Sequence, residues 1–250
     1  MHTLTAEFVK LKRSLGWAVV ALLPVALVVL GSIMTIVEGT GLDGGWHTLW
    51  MRSFVFYGLF PLPVGIAMLA SLVWRPEHRG SNWSALMSGP TSSLRIVAAK
   101  TASVTLLTVV MQLIALAVVI LLGKLVFGLP GFVPASYLGV FALIVLACVP
   151  VAALQSWLSM VMRSFAGPVA VAFVGAGASV VALMAVGPPA MVSPYALLTR
   201  ATQLGTGQFA DDGAVSPTVV VMIAAASVVL TCAAAAMGTA ALERGDVRTS

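Results

Sequence analysis

The chain has few ionisable side chains, and their positions limit the chemistry that it can perform. All eight carboxylates and all three histidines lie outside the long apolar runs or at their edges: Glu7, Glu38, Asp43, Glu77, Asp211, Asp212, Glu243 and Asp246, with His2, His47 and His78. Hydrolysis within a membrane requires paired carboxylates or histidines that bind a metal ion or activate water. A proton-coupled carrier normally requires an ionisable group in the bilayer. The apolar runs contain neither set, so the sequence predicts no catalytic site and no metal site.

One Gly-Lys pair, Gly123-Lys124, invites comparison with a phosphate-binding loop. Such a loop has the pattern Gly-x-x-x-x-Gly-Lys-Ser/Thr, in which backbone N–H groups surround the phosphates. Here Val118 stands at the first glycine position and Leu125 at the Ser/Thr position. The pair is better explained as the end of an apolar run. We therefore expect this chain to bind no nucleotide or other cofactor of its own.

The apolar runs are the elements that must position the remaining side chains. Only 8% of the residues are charged and 60% are hydrophobic, whereas about 25% are charged in ordinary globular domains. A membrane-spanning helix needs about 20 mostly apolar residues, and runs of that length lie near 16–37, 54–74, 97–126, 137–160, 167–187 and 218–242. Their length and lack of two-residue alternation favour helices over strands. The sequence predicts an all-α, polytopic membrane protein whose residues 1–250 form a single domain with six transmembrane helices.

The distribution of Lys and Arg predicts the orientation in the membrane. With a cytoplasmic N-terminus, the inner segments and the adjoining span end carry ten cations: Lys10, Lys12, Arg13, Arg75, Arg79, Arg95, Lys100, Arg163, Arg244 and Arg248. The outer segments carry only Arg52, Lys124 and Arg200. This excess follows the positive-inside rule. We expect a multi-pass protein of the plasma membrane with both termini in the cytoplasm. Because the cations sit beside spans, we expect no nucleic-acid partner.

The longest inner segment, residues 75–96, contains the pattern of a short amphipathic helix. Trp83, Leu86 and Met87 recur at i, i+3 and i+4, and Gly89-Pro90 ends the element. A helix this short is not stable alone and must bury its apolar face. Trp83 can serve as an interfacial anchor in the lipid headgroups. Alternatively, the helix docks in a groove of a soluble partner.

The N-terminal residues 1–15 form a second amphipathic pattern. Leu4, Phe8, Leu11 and Leu15 recur at helical spacing, while Glu7 and nearby cations lie elsewhere on the helical wheel. This pattern predicts an interfacial helix lying along the membrane surface. A plain basic anchor for the first span is the alternative.

Two glutamines and one outer segment are the remaining polar features of interest. Gln112 and Gln155 lie inside spans, where hydrogen bonding between helices is the default role and a substrate path is the alternative. In the outer segment 188–217, Ser193-Pro194 predicts a helix start, and residues 205–217 predict a flexible polar turn.

Two segments resemble a known family. Both resemble segments of type-2 ABC transporter permeases: the loop with the order Glu77, Gly80, Leu86, Pro90, Arg95 and Lys100, and the opening EFVKLKRSLGW. Within that family the resemblance is closest to the small permeases of lantibiotic immunity and antibiotic resistance. The resemblance implies a cytoplasmic coupling helix that seats in an ATPase subunit, with these residues at the contact: Glu77, Gly80, Trp83, Leu86, Met87 and Pro90. It implies that the N-terminal helix flanks the ATPase. It also implies short, partly re-entrant helices before the last span, where Tyr195 and Leu198 would form an outer gate, although an ordinary surface loop is an equal alternative.

The function expected from these features is that of the permease subunit of an ATP-driven exporter. The substrate would be hydrophobic or amphipathic, such as an antimicrobial peptide or antibiotic. ATP and Mg²⁺ would be bound by separate ABC ATPase subunits, and a second permease chain, identical or a sister, would complete the pathway in the lipid bilayer. There are two alternatives. The chain is a secondary carrier, or it is a membrane scaffold or sensor subunit that transports nothing.

Overall fold

The computed structural model describes residues 15–37, 42–79, 92–208, 211 and 213–247. Within these ranges the chain forms helices and no strands, which confirms the all-α prediction. The eight helices are α1 (Gly16–Val37), α2 (Trp46–Leu59), α3 (Pro61–Trp74), α4 (Ser93–Leu121), α5 (Ala135–Val161), α6 (Ala166–Val186), α7 (Pro194–Gln203) and α8 (Pro217–Val247). A π-helical turn, Leu122–Val126, extends α4, and a 3-10 turn, Pro188–Val192, precedes α7.

Five of these helices are long and apolar enough to cross a membrane, namely α1, α4, α5, α6 and α8. α2 and α3 meet at Phe60 with a bend of 51°, and they make a sixth span if the bent pair is counted as one. Pro61 and Pro63 open α3 and have no backbone N–H to donate, so the helical hydrogen bonding is interrupted there. The chain is therefore a multi-pass membrane protein.

Taken as one span, α2 and α3 begin earlier than the second span that the sequence predicts. Its apolar run starts near residue 54, whereas α2 begins at Trp46 and passes through a π-helical turn, Met51–Val55. Trp46 donates its indole N–H to the carbonyl of Pro130 at 2.9 Å. Trp50 stacks between Phe54 and Tyr137, with ring centroids 4.2 and 5.0 Å away. This aromatic packing buries a segment that looks too polar to be part of a span.

The bundle has two chemically different ends. At one end, the termini of α3, α4, α5 and α8 pack together through Trp74, Ile96, Val97, Met160 and Leu242. We call it the cation-rich end, because Arg75, Arg79, Arg95, Arg163 and Arg244 surround it. At the opposite end, Trp46 packs against Gly123 and Pro130.

Two predicted elements lie outside the described residues. The interfacial helix predicted for residues 1–15 falls almost entirely in 1–14, and only Leu15, which is exposed, is described. The coupling helix predicted near 81–89 falls within 80–91. Both stay predictions.

Candidate functional site

Of the predicted partner-binding residues, the structure describes Glu77, which lies at the cation-rich end just after α3. Gly80, Trp83, Leu86, Met87 and Pro90 are outside the described residues. Glu77 is described, and it is almost completely buried although it follows α3 by only three residues. Its backbone N–H donates to the Trp74 carbonyl at 3.1 Å, so the chain continues α3 as a turn. This turn directs the carboxylate inward.

Glu77 forms a buried ion pair with Lys100 of α4. The distance from Lys100 Nζ to Glu77 Oε1 is 2.8 Å, and the two side chains are 2% and 3% exposed. Lys100 also donates to the Val73 carbonyl at 3.0 Å and lies 5.3 Å from the centroid of the Trp74 ring. The ion pair thereby joins Glu77, which lies shortly before the segment 80–91, to α4, which follows that segment. Sequence reasoning noted both charges but did not pair them; their opposite signs at the two ends of one loop were the available signal.

Two further hydrogen bonds join the same end of α3 to α5. The indole N–H of Trp74 donates to Ser156 Oγ at 2.9 Å. His78 Nε2 lies 2.7 Å from the Ser159 carbonyl, so this ring nitrogen carries the donated proton. The chain on either side of Glu77 therefore contacts α5, and Glu77 itself contacts α4.

Halfway along the bundle, both predicted glutamines bond to tyrosines. Gln155 Nε2 donates to the Tyr195 hydroxyl at 2.6 Å, and Gln112 Nε2 donates to the Tyr57 hydroxyl at 3.2 Å. The structure thus brings together Gln155, predicted for a substrate path, and Tyr195, predicted for an outer gate. Sequence reasoning missed Tyr57, which looked like one more aromatic side chain in an apolar run.

These amides retain unused hydrogen-bonding capacity. Among the described residues, Oε1 of Gln112 and Oε1 of Gln155 are buried and have no hydrogen-bond partner. The same holds for Thr199 Oγ1 and for both amide atoms of Gln203, which belong to α7. Buried polar atoms are normally paired. A set of neutral, unpaired groups in the bundle can bond a polar group of a molecule that enters it.

Helix α7 lies inside the bundle. Every residue from Tyr195 to Gln203 is buried, and Leu198 is completely inaccessible. The Tyr195 ring packs on Gly175 near the middle of α6, and Thr202 packs on Gly58 near the middle of the second span. Neither glycine has room for a Cβ atom. α7 therefore reaches about half-way into the bundle, as a re-entrant helix does, and is not part of a surface loop.

The segment after α7 is anchored by an ion pair that the sequence did not reveal. Arg200 Nη1 lies 2.6 Å from Asp211 Oδ1, with both side chains almost fully buried. Asp211 Oδ2 accepts the backbone N–H groups of Thr206, Gly207 and Gly213, each at 3.0 Å. The described residues between Gly205 and Pro217 form turns and bends, as the sequence predicts, and Asp211 gathers backbone amides of this segment beside Arg200. Gly205, Gly207 and Gly213 allow this by adopting positive φ.

Comparison with known proteins assigns the chain to a family. The family described as ABC-2 family transporter protein matches residues 3–179. The chain belongs to this family. The predicted resemblance to type-2 ABC permeases is thereby confirmed. No curated protein and no solved structure matched the chain.

The matched residues of this ABC-2 family protein run from the N-terminal segment into α6. They include the Glu77–Lys100 pair, Gln112 and Gln155, whereas α7 and α8 lie beyond them. The family supports a permease subunit of an ABC transporter, typically without catalytic activity, and implies association with an ATPase subunit.

Proposed function

We propose that the chain is the permease subunit of an ATP-driven exporter that moves a hydrophobic or amphipathic substrate, such as an antimicrobial peptide or antibiotic. ATP and Mg²⁺ bind in separate ATPase subunits, and a second permease chain, identical or a sister, completes the pathway. The observation that carries the proposal is the buried Glu77–Lys100 pair at the base of the predicted coupling loop, in a chain of the ABC-2 family.

In this proposal, residues 80–91 contact the ATPase through Trp83, Leu86 and Met87. A displacement of this loop pulls on Glu77, which is held to α4 by Lys100. It also pulls on Trp74 and His78, which are held to α5. The motion of the ATPase thus reaches two spans at once. A loop linked to the bundle only by its backbone would transmit less of that motion.

The substrate path in this proposal passes the unpaired amide oxygens of Gln112 and Gln155. Tyr195 and Leu198 close the outer side, because α7 occupies the space between α5 and α6. Groups of this kind are neutral, so they favour substrates with large apolar surfaces and a few hydrogen-bonding groups. In this proposal the protein lies in the plasma membrane, with the cation-rich end and both termini in the cytoplasm. The excess of cations at that end supports this orientation.

The test is the double change Trp83→Asp and Leu86→Asp, with the ATPase subunits expressed alongside. Burying such side chains stabilises an interface by about 1.5–3 kcal/mol each, so the variant should insert in the membrane but lose bound ATPase or uncouple hydrolysis from export. The matched control, Ser84→Asp with Ser88→Asp, adds the same charge at polar positions and should retain most of both activities. Co-purification and substrate-stimulated ATP hydrolysis are measured.

Three results would contradict the proposal. Wild-type ATPase binding and coupling in the Trp83 and Leu86 variant would remove the coupling role of the loop. Proton-driven transport by the chain alone in liposomes would identify a secondary carrier. ATPase association without any transport, across a panel of amphipathic peptides and antibiotics, would indicate a scaffold or sensor subunit.

A further inference from the structure

A cavity of about 260 Å³ opens at the cation-rich end, between the ends of α3 and α5 and the start of α6. Its lining includes three arginines, Arg75, Arg79 and Arg163, together with His78. One water needs roughly 10–15 Å³ measured in the same way. The cavity therefore has room for a group much larger than water.

The cavity wall carries positive charges that no described carboxylate of the chain pairs with. Among the described residues, none of the three arginines has a carboxylate within 4 Å. Glu77 is the acidic residue nearest in sequence to Arg75 and Arg79, and its Oε1 lies 2.8 Å from Lys100 Nζ. Three arginines around one cavity favour a multivalent oxygen anion, because guanidinium groups match phosphate in geometry and charge.

The wall of the cavity is held in place by hydrogen bonds of its own. Ser71 Oγ lies 3.3 Å from Ser159 Oγ, and the Ser159 carbonyl accepts the proton of His78. Ser71, Ser159 and Ser164 add hydroxyl groups to the lining. A phosphate held by the arginines would find these donors close by.

The lining of the cavity also has an apolar part. Phe165 lines it and is 43% exposed, and it immediately precedes α6. Farther along α6, Phe173 and Val174 are also exposed. A phosphate bound by the arginines would thus lie beside Phe165, at the end of a spanning helix that exposes further apolar side chains along its length. An anionic lipid presents this combination of groups, whereas an acidic peptide lacks the acyl chains.

We propose that this cavity binds the phosphate group of an anionic phospholipid in the leaflet at the cation-rich end. Arg75, Arg79 and Arg163 contact the phosphate, and Phe165 contacts an acyl chain. Basic pockets between spanning helices are known sites for anionic headgroups. The site does not depend on the proposed ATPase contact, so it can exist whether or not the chain is an exporter.

The test measures binding of phosphatidylglycerol to the full chain in neutral detergent by native mass spectrometry, with phosphatidylcholine as the zwitterionic comparison. The double variant Arg75→Gln and Arg163→Gln should weaken phosphatidylglycerol binding on the order of twentyfold, since each cation near a membrane surface contributes roughly fivefold. The matched control, Arg95→Gln with Arg244→Gln, removes two exposed cations of the same end and should retain wild-type binding. Arg163→Lys keeps the charge but loses the planar guanidinium, so it should weaken binding less than Arg163→Gln does.

Several results would overturn the proposal. Equal loss in the two double variants would mean that charge alone attracts the lipid. Competition by inorganic phosphate as effective as that by phosphatidylglycerol would assign the site to a free anion. Unchanged lipid binding together with loss of the ATPase from the Arg75 and Arg163 variant would assign the cavity to an acidic surface of that partner.

Discussion

The ion pair between Glu77 and Lys100 puts two full charges where neither side chain is more than 3% exposed. Removing such charges from water costs several kcal/mol per ion, and only good geometry and added hydrogen bonds offset that cost. The 2.8 Å contact, the bond from Lys100 to the Val73 carbonyl and the Trp74 ring supply both. The pair therefore specifies how the loop is attached more than it adds net stability.

Loss of one member of this pair should be costly, and loss of both should be mild. Glu77→Gln leaves Lys100 charged and buried, so we expect the free energy of unfolding to fall by about 3–5 kcal/mol. The double variant Glu77→Leu with Lys100→Met removes both charges and should recover most of that loss. Unfolding of the purified chain in mixed detergent measures both values. A single variant as stable as the wild type would show that the charges are screened by water.

At the scale of elements, α7 depends on space that two distant helices provide. The added Cβ of an alanine at Gly58 would collide with Oγ1, Cβ and Cγ2 of Thr202, and one at Gly175 with the Tyr195 ring. Arg200 is neutralised by Asp211, which permits a helix with an arginine to be buried. The re-entrant position thus has two requirements, small residues opposite and one internal counter-ion.

Gly58→Ala should displace α7. Overpacking of this kind costs about 1–3 kcal/mol, so unfolding should become easier, and a cysteine at Leu198 should react faster with a membrane-impermeant thiol reagent. The assay uses Cys232→Ala, because Cys232 is exposed whereas Cys148 is buried.

The matched control for that experiment is Gly139→Ala in α5. An added Cβ there has no neighbour within 4 Å, and alanine favours a helix by up to about 1 kcal/mol. The free energy of unfolding of this variant should therefore equal or slightly exceed that of the wild type. The rate at which a cysteine at Leu198 is labelled should be unchanged. If Gly58→Ala and Gly139→Ala behave alike, α7 is not held by close packing.

The spans were predictable from sequence to the extent that they are apolar. The run near 16–37 coincides with α1 because every turn of that helix is hydrophobic. The start of the second span at Trp46 was not predictable, since its burial depends on Tyr137 and Pro130, some 80 to 90 residues away. The Ser193-Pro194 pair correctly predicted where α7 begins, but its depth depends on Gly58, Gly175 and Asp211, which no local pattern connects to it.

For the whole molecule, the orientation rests on the distribution of cations. The structure buries Lys100 with Glu77 and Arg200 with Asp211. Setting these two aside removes one cation from each side, so the excess at the predicted inner side is preserved. The remaining described arginines of that side lie around one end of the bundle.

The orientation predicts opposite labelling of two exposed positions. Cysteines placed at Ser92 and at Gln208, both exposed, should react with an impermeant thiol reagent from opposite sides of the membrane, Gln208 from outside. Gln208 is preferable to Gly207, whose φ of 67° disfavours any side chain. Intact cells and inverted vesicles provide the two measurements. Reaction of both cysteines from one side would contradict the six-span arrangement.

The unequal lengths of the spans affect the surrounding bilayer. α6 has 21 residues, whereas α4 with its π turn has 34. At 1.5 Å per residue these lengths are about 31 and 51 Å, against a hydrocarbon core of about 30 Å. α6 matches that hydrophobic thickness when nearly upright, whereas α4 has to tilt or extend beyond it. The two helices therefore adjust differently to a change in bilayer thickness, α4 by changing its tilt and α6 by deforming the lipids beside it, so we expect the protein to respond to acyl-chain length.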